Sequence, residues 1–121
     1  MAKKILIVDD EEGIIFLIKR RLVKIGYEVS EAHNGLDGIT LAKQERPDLM
    51  ILDFMMPELN GLEACRLLKS DPQYQSIKII LLTARDQQKD QAVAREVGAD
   101  AYITKPFEPE ELVGKVKELV G

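Results

Sequence analysis

Acidic side chains follow two of the most apolar segments of this chain. Asp9 and Asp10 come directly after Lys-Ile-Leu-Ile-Val, and Asp53 comes directly after Leu-Met-Ile-Leu. A third apolar run, Ile-Ile-Leu-Leu, ends at Thr83. Runs of this kind are typical of strands buried on both faces of a parallel sheet. Because residues just past the ends of parallel strands share one edge of the sheet, we expect three carboxylates and a hydroxyl to gather there.

Such a group of carboxylates requires a positive partner, since unpaired carboxylates at contact distance repel strongly where the dielectric is low. The segment Asp-Asp-Glu-Glu-Gly after the first run has the wrong sign for a phosphate-binding loop, so a nucleotide or flavin site is not expected. Oxygen ligands without a neighbouring His or Cys favour Mg²⁺ over zinc, and their small number favours Mg²⁺ over Ca²⁺. The sequence therefore predicts a magnesium site formed by Asp9, Asp10 and Asp53.

A lysine and a threonine complete the predicted charge balance. Three aspartates and one Mg²⁺ leave a single negative charge, which one lysine would neutralise. Lys105 follows the last predicted strand, directly before Pro106, and its long side chain could reach across the strand ends. Thr83 would supply a hydroxyl donor. A metal, a nucleophilic carboxylate, a hydroxyl and an ammonium group are together suited to phosphoryl transfer, in which attack by the carboxylate gives an acyl phosphate.

The elements that would position these residues alternate between strand and helix. Strands are predicted at 4–8, 28–32, 49–52, 78–82 and 101–104, and helices at 12–25, 35–45, 62–69, 87–97 and 109–120. The first, third and fourth strands are almost wholly apolar and should be central, whereas the second and fifth have the mixed polarity of edge strands. With right-handed crossovers, this predicts an α/β fold: a doubly wound (βα)5 three-layer sandwich with a parallel five-stranded sheet in the order 2-1-3-4-5.

The composition indicates one globular domain spanning residues 1–121. The formal net charge of −4 argues against direct binding to nucleic acid or to an anionic membrane. Cys65 is the only cysteine, which excludes an intrachain disulfide and fits a cytoplasmic location. No apolar stretch is long enough to span a bilayer.

Four segments carry a resemblance to a known family. They read Ile-Leu-Ile-Val-Asp-Asp, Pro-Asp-Leu-Met-Ile-Leu-Asp-Phe-Met-Met-Pro, Leu-Leu-Thr-Ala-Arg and Gly-Ala-Asp-Ala-Tyr-Ile-Thr-Lys-Pro-Phe. With them, essentially the whole chain resembles the receiver domain of two-component response regulators, which has a flavodoxin-like fold. The resemblance implies a phosphoacceptor that takes a phosphoryl group from a sensor histidine kinase or a phosphotransfer protein, rather than an enzyme acting on a separate substrate.

The resemblance also implies roles for individual residues. Asp53 would be the phosphoacceptor, and Mg²⁺ would be held by Asp9 or Asp10, by Asp53 and by the backbone carbonyl of Met55. Thr83 and Lys105 would bind the phosphoryl oxygens, and the Lys105–Pro106 peptide would be cis. Tyr102 would turn inward when Thr83 shifts, altering the face formed by the fourth helix, fifth strand and fifth helix. That face would contact a downstream protein or effector, or form a phosphorylation-dependent homodimer.

The first predicted helix supplies a candidate docking surface. Its expected buried stripe consists of Ile14, Leu17, Ile18, Leu22 and Ile25. Because residues 14–18 are all apolar, Ile15 and Phe16 should remain at least partly exposed near the site. By the resemblance, these two residues would contact the kinase.

Two other functions are compatible with parts of the pattern. A Mg²⁺-dependent phosphohydrolase with an aspartyl-phosphate intermediate would use similar residues, but it usually has Asp-x-Asp after the first strand and a cap over the substrate. A receiver that binds partners without phosphorylation usually lacks a key residue, and this chain has them all. The sequence is compatible both with a stand-alone receiver and with the receiver part of a longer regulator.

Overall fold

Strand and helix alternate along the chain in the computed structural model, which describes residues 2–84, 92 and 95–121. The strands are β1 (Lys4–Val8), β2 (Glu28–Ala32), β3 (Leu49–Asp53), β4 (Lys78–Ala84) and β5 (Ala101–Lys105). The helices are α1 (Glu12–Ile25), α2 (Gly35–Glu45), α3 (Gly61–Lys69) and α4 (Pro109–Val120). Within these described residues, no helix has both the length and the apolarity needed to cross a bilayer.

The strands form one parallel sheet in the order β2-β1-β3-β4-β5, which confirms the predicted topology. β1 and β3 are direct neighbours, with Val8 opposite Leu52. Further along, Asp53 lies opposite Leu82, and Ala84 lies opposite Lys105. This register brings the ends of β1, β3, β4 and β5 to the same edge of the sheet.

Two apolar cores, one on each face of the sheet, hold the three layers together. Successive residues of β1 point to opposite faces, so Leu6 packs with α2 and α3 whereas Ile7 packs with α1 and α4. β1 beyond Lys4 and all of β3 are buried, while β2 and β5 are partly exposed, as expected for edge strands. The strands that lead to Asp9 and Asp53 are therefore buried strands in the middle of the sheet.

Local signals in the sequence account for the end of α1 and the start of α2. Gly26 has φ 118°, and its N–H donates to the carbonyls of Leu22 and Val23, which ends α1. The side chain of Asn34 caps α2 by accepting a 2.8 Å hydrogen bond from the N–H of Asp37. Gly26 therefore sets where the chain leaves α1 for β2, and Asn34 sets where it enters α2 after β2.

The buried face of α1 differs from the predicted stripe. Ile15, Ile18 and Leu22 are buried, whereas Leu17 and Ile25 are 39% and 44% exposed. The 3-4 spacing of the buried residues lets them pack directly on the sheet. Leu17 and Ile25 instead line a groove between α1 and α4.

Most of the predicted helix at 87–97 lies outside the described residues. Ala92, Arg95 and Glu96 are helical, and Gly98, the predicted end of that helix, has φ 89°. β4 and β5 run further than predicted, because each continues to pair up to Ala84 and Lys105. Thr83 and Lys105 therefore lie within strands, and this fixes their backbone positions.

Candidate functional site

An acidic cluster lies at the carboxyl edge of the sheet. Each of Asp9, Asp10, Glu11 and Asp53 offers a carboxylate oxygen, and these oxygens lie within 4.8 Å of one another. Asp9 and Asp53 are buried, and Asp10 and Glu11 are exposed. The structure thus brings together the three aspartates singled out from the sequence. The structure adds Glu11 to this cluster. In the sequence, only its place in the Asp-Asp-Glu-Glu run indicates that it could contribute.

The Lys105 ammonium group lies among these carboxylates. Its Nζ is 3.1 Å from Oδ2 of Asp9, 3.3 Å from Oδ1 of Asp53 and 3.7 Å from Oε1 of Glu11. Lys105 reaches this position from β5, two strands away from β3. Part of the negative charge is therefore neutralised by the protein itself.

Burial and charge act against each other on the two central ionisable groups. Burial, together with the nearby charge of Asp9, raises the pKa of Asp53 from 3.8 to about 6, although Lys105 and the N–H of Met55 oppose the rise. For Lys105, burial disfavours the charge, but the carboxylates of Asp53 and Asp9 outweigh it and raise the pKa above its usual value. The lysine stays charged at neutral pH, whereas the Asp53 carboxylate ionises at a cost.

Thr83 carries a buried hydroxyl next to this cluster. It follows Leu82, the β4 residue that lies opposite Asp53. Its Oγ1 is inaccessible to solvent and has no hydrogen-bond partner within the described part of the chain. Since buried hydroxyl groups are normally hydrogen-bonded, this one is suited to a ligand atom that carries oxygen acceptors.

The loop after β3 is held tightly against Asp53. The N–H of Met55 donates to Oδ1 of Asp53 over 3.3 Å, and the N–H of Gly61 donates to the carbonyl of Phe54. A Cβ at position 61 would collide with the carbonyl oxygen of Asp53, so glycine is required where the loop folds back. Asn60 then caps α3. These contacts hold the backbone of Met55 beside the acidic cluster.

A cavity of about 500 Å³ opens above the cluster. Asp53 and Lys105 line it together with Glu11 and an apolar surround of Ile14, Leu17, Met55, Pro106 and Phe107. Met55 is 65% exposed at this mouth. The Lys105–Pro106 peptide is cis, as the resemblance implied. The buried carboxylate of Asp53 can therefore be approached from solvent on this side.

Of the two predicted docking residues, the structure exposes Phe16 and buries Ile15. Phe16 is 66% exposed, but Ile15 is only 2% exposed, so the expectation that Ile15 would be accessible to a partner is wrong. Five consecutive apolar residues leave the rotation of a helix ambiguous, and packing on the sheet selects Ile15 and Ile18 as the buried pair. Phe16 remains the available candidate on α1.

Tyr102 lies on the edge strand β5, half-buried against the core on the α2 and α3 side. Its hydroxyl accepts a 2.9 Å hydrogen bond from Nη2 of Arg95, whose guanidinium carbon is 5.6 Å from the centre of the ring. The neighbouring strand β4 carries Thr83, which lies opposite Thr104. Tyr102 thus lies on the strand next to Thr83, and Arg95 holds its hydroxyl.

Comparisons with known proteins agree with this geometry. The model of the response regulator receiver domain matches residues 5–117. Over 120 residues the chain is 43% identical to the alkaline phosphatase synthesis transcriptional regulatory protein PhoP of Bacillus subtilis, an alignment that covers 99% of this chain and 49% of that protein. The chain therefore spans about half the length of this curated relative.

Two solved structures are also similar. One is the signal receiver domain of a signal transduction histidine kinase from Syntrophus aciditrophicus, with a TM-score of 0.91, 38% identity and coverage of 98% of this chain and 90% of that one. The other is the receiver domain of the sensor histidine kinase PA1611 from Pseudomonas aeruginosa, which has a magnesium ion coordinated in its active site cleft. Its TM-score is 0.89, with 28% identity and coverage of 100% of this chain and 99% of that one. By its sequence, its fold and its acidic site, the chain belongs to the response regulator receiver domain family.

Proposed function

We propose that Asp53 accepts a phosphoryl group from a phosphohistidine in a Mg²⁺-dependent reaction. Receiver domains of this family are signalling phosphoacceptors that interact with histidine kinases and effectors. The observation that carries the assignment to Asp53 is its environment: a buried carboxylate next to Lys105, a Thr83 hydroxyl that has no partner among the described residues, and a cavity open to solvent.

The residues present fit a divalent cation. Asp9, Asp10 and Asp53, with the backbone carbonyl of Met55, would hold Mg²⁺, and Glu11 offers a further oxygen. Bound there, the ion would offset the negative charge of the carboxylates and of the incoming phosphoryl oxygens. The convergence of four carboxylates supports this, because together they carry more negative charge than Lys105 alone balances.

Asp53 acts as the nucleophile. One of its carboxylate oxygens attacks the phosphorus of the phosphohistidine and forms a new O–P bond. The N–P bond breaks, its electron pair returns to the imidazole nitrogen, and an acyl phosphate remains on Asp53. The reaction requires the ionised carboxylate, so the charge of Lys105 assists by opposing the effect of burial on the pKa of Asp53.

Lys105 and Thr83 bind the transferred group. The Lys105 ammonium, which contacts Asp9 and Asp53 in this structure, would interact with a phosphoryl oxygen once Asp53 is modified. The Thr83 hydroxyl would donate to a second oxygen and so gain the partner that it lacks among the described residues. Both residues belong to strands, so their backbones need little rearrangement.

Phosphorylation would then change the surface around β5. It replaces one negative charge by about two, and the movement of Thr83 toward the phosphoryl group would leave space behind β4. Tyr102 would fill this space by giving up its hydrogen bond with Arg95. The surface of β5, α4 and the residues before β5 would change its affinity for a downstream protein or effector, or for a second phosphorylated copy.

We assign the exposed Phe16 on α1 to the surface that contacts the kinase. We assign no direct nucleic-acid or membrane contact to this domain, and we place it in the cytoplasm as a single receiver over residues 1–121. The name of the Bacillus subtilis relative describes a transcriptional regulator. Control of a transcriptional effector is therefore the output that we favour.

Acetyl phosphate tests the reaction without a kinase. Intact mass spectrometry should show one phosphoryl group per chain in the presence of Mg²⁺ and none with a chelator. Asp53→Asn should abolish the addition, whereas Asp37→Asn, the same change at an exposed position on α2, should not affect it. Labelling that persists in Asp53→Asn would show that another residue is the acceptor.

A further inference from the structure

Two glycines near the start of α2 allow this helix to lie very close to its neighbours. A Cβ added at Gly35 would overlap the backbone carbonyl oxygen of Leu59, in the loop between β3 and α3. A Cβ added at Gly38 would lie 2.8 and 2.9 Å from the two methyl groups of Val8, the last residue of β1. Because carbon atoms in van der Waals contact are about 3.5–4.0 Å apart, alanine at either position would force a neighbour to move.

The helix itself does not require glycine at these positions. Glycine inside a helix is less stable than alanine, and neither Gly35 nor Gly38 has a positive φ. The start of α2 is instead stabilised by Asn34, whose side chain accepts from the N–H of Asp37 and donates to its carboxylate. The two glycines are therefore explained by the closeness of α2 to Val8 and Leu59.

Each of the two segments that α2 contacts carries part of the candidate metal site. Val8 is followed directly by Asp9, whose carboxylate belongs to the acidic cluster. Leu59 belongs to the same loop as Met55, whose backbone carbonyl is the proposed fourth ligand. The base of this loop is held where α3 begins at Gly61, and the contact with α2 supports the loop at a further place. A shift of α2 would therefore act on both halves of the site.

We propose that Gly35 and Gly38 are positioning residues for the metal site. They let α2 lie against the end of β1 and against the loop after β3, which holds the backbone of Met55 beside Asp9. Neither glycine would touch the metal or the phosphoryl group. Replacement of residues that orient metal ligands typically weakens metal binding about 10–100-fold. The inference rests on the proposed function, because it concerns the same Mg²⁺ site.

Titration with magnesium chloride, followed through the backbone amide resonances by NMR, measures the affinity for Mg²⁺ separately from phosphoryl transfer. Gly35→Ala should weaken Mg²⁺ binding about tenfold, and it should shift the amide resonances of Met55 and Leu59 even before Mg²⁺ is added. Gly13→Ala is the matched control. It is the same substitution in the first turn of α1, where a Cβ would meet no atom within 4 Å, and it should bind Mg²⁺ as tightly as the parent.

A variant that only loses stability separates positioning from general destabilisation. Val116→Ala removes buried methyl groups from α4, on the opposite face of the sheet from α2. It should lower the melting temperature and leave the affinity for Mg²⁺ unchanged.

Gly38→Ala tests the same proposal from the β1 side, and it serves if Gly35→Ala does not fold. The added Cβ would press on the methyl groups of Val8, so this variant should also weaken Mg²⁺ binding. Val8→Ala in the same chain removes those methyl groups and should restore most of the affinity.

Three results would count against the proposal in different ways. Folded Gly35→Ala and Gly38→Ala that bind Mg²⁺ as tightly as the parent would overturn this inference alone, provided that the parent is labelled at Asp53. An equal loss of affinity in Val116→Ala would show that stability, and not the position of α2, controls Mg²⁺ binding. A parent that neither binds Mg²⁺ nor is labelled would overturn the proposed function, and this inference with it.

Discussion

Asp53→Asn should stabilise the metal-free protein at neutral pH, although it removes the residue on which the proposed function depends. Burial and the proximity of Asp9 raise the pKa of Asp53 from 3.8 to about 6. An acid with a raised pKa in the folded state binds its proton more tightly there than in the unfolded chain. The free energy of unfolding therefore falls as the pH rises from about 4 to about 6, and the full loss is present above that range.

The size of this change in the free energy of unfolding follows from the shift in the pKa of Asp53. The pKa rises by about two units, and each unit corresponds to about 1.36 kcal/mol, so an ionised Asp53 costs the fold about 3 kcal/mol. Asn has nearly the same shape as Asp and resembles the protonated acid. We therefore expect Asp53→Asn to raise the free energy of unfolding by about 1–3 kcal/mol near pH 7.5, and to have little effect near pH 4.

Urea unfolding followed by circular dichroism, with a chelator present, measures this difference. Asp10→Asn is the matched control, because it removes one negative charge from the same cluster at an exposed position. It should change the free energy of unfolding by no more than about 0.5 kcal/mol. An equal rise in the free energy of unfolding of Asp10→Asn would show that general charge repulsion, and not the burial of Asp53, causes the stabilisation. If Asp53→Asn is no more stable than the parent at neutral pH, burial of the ionised Asp53 does not destabilise the fold.

Three further predictions concern the metal, the hydroxyl and the docking surface. Mg²⁺ should raise the melting temperature of the parent in a thermal-shift assay, because a cation relieves repulsion among the clustered carboxylates, and Asp53→Asn should lose most of that rise; an unchanged melting temperature in the parent would count against a metal site. Thr83→Val should change the free energy of unfolding by less than about 1 kcal/mol, since the hydroxyl has no partner among the described residues. The same variant should slow labelling by acetyl phosphate several-fold. A large loss of stability in urea would show that the hydroxyl is paired. Phe16→Glu should slow transfer from a phosphorylated histidine kinase without slowing labelling by acetyl phosphate, whereas Ile15→Glu should unfold the protein because Ile15 is buried; unchanged transfer in Phe16→Glu would remove α1 from the docking surface.

The order of the strands could be predicted because the polarity of a short strand indicates whether it is buried on both faces or lies at an edge of the sheet. The wholly apolar runs that end in Asp9 and Asp53 could only be central, and the mixed polarity of the second and fifth strands assigned them to the edges. Once that order was set, the carboxylates of Asp9 and Asp53 had to be neighbours. Lys105 then had to cross the ends of β4 and β3 to reach them, and its long side chain does so.

Features that depend on side-chain packing could not be predicted in the same way. The apolar residues 14–18 fit more than one rotation of α1, and only contact with the sheet shows that Ile15 is buried and Leu17 is exposed. Glu11 joins the acidic cluster through the path of the loop after β1, where its N–H donates to Oδ1 of Asp9 over 2.9 Å. That the Thr83 hydroxyl is buried without a partner in the described part of the chain is likewise a property of the three-dimensional surroundings.

The most direct test of the central claim is to locate the phosphoryl group chemically in the unmodified protein. After labelling with acetyl phosphate and Mg²⁺, borohydride reduces an acyl phosphate on aspartate to homoserine, which tandem mass spectrometry can assign to a position. We predict homoserine at Asp53 and at no other acidic residue. Homoserine at Asp9 or Asp10, or a stable phosphoryl group on His33, would contradict the assignment of Asp53 as the phosphoacceptor.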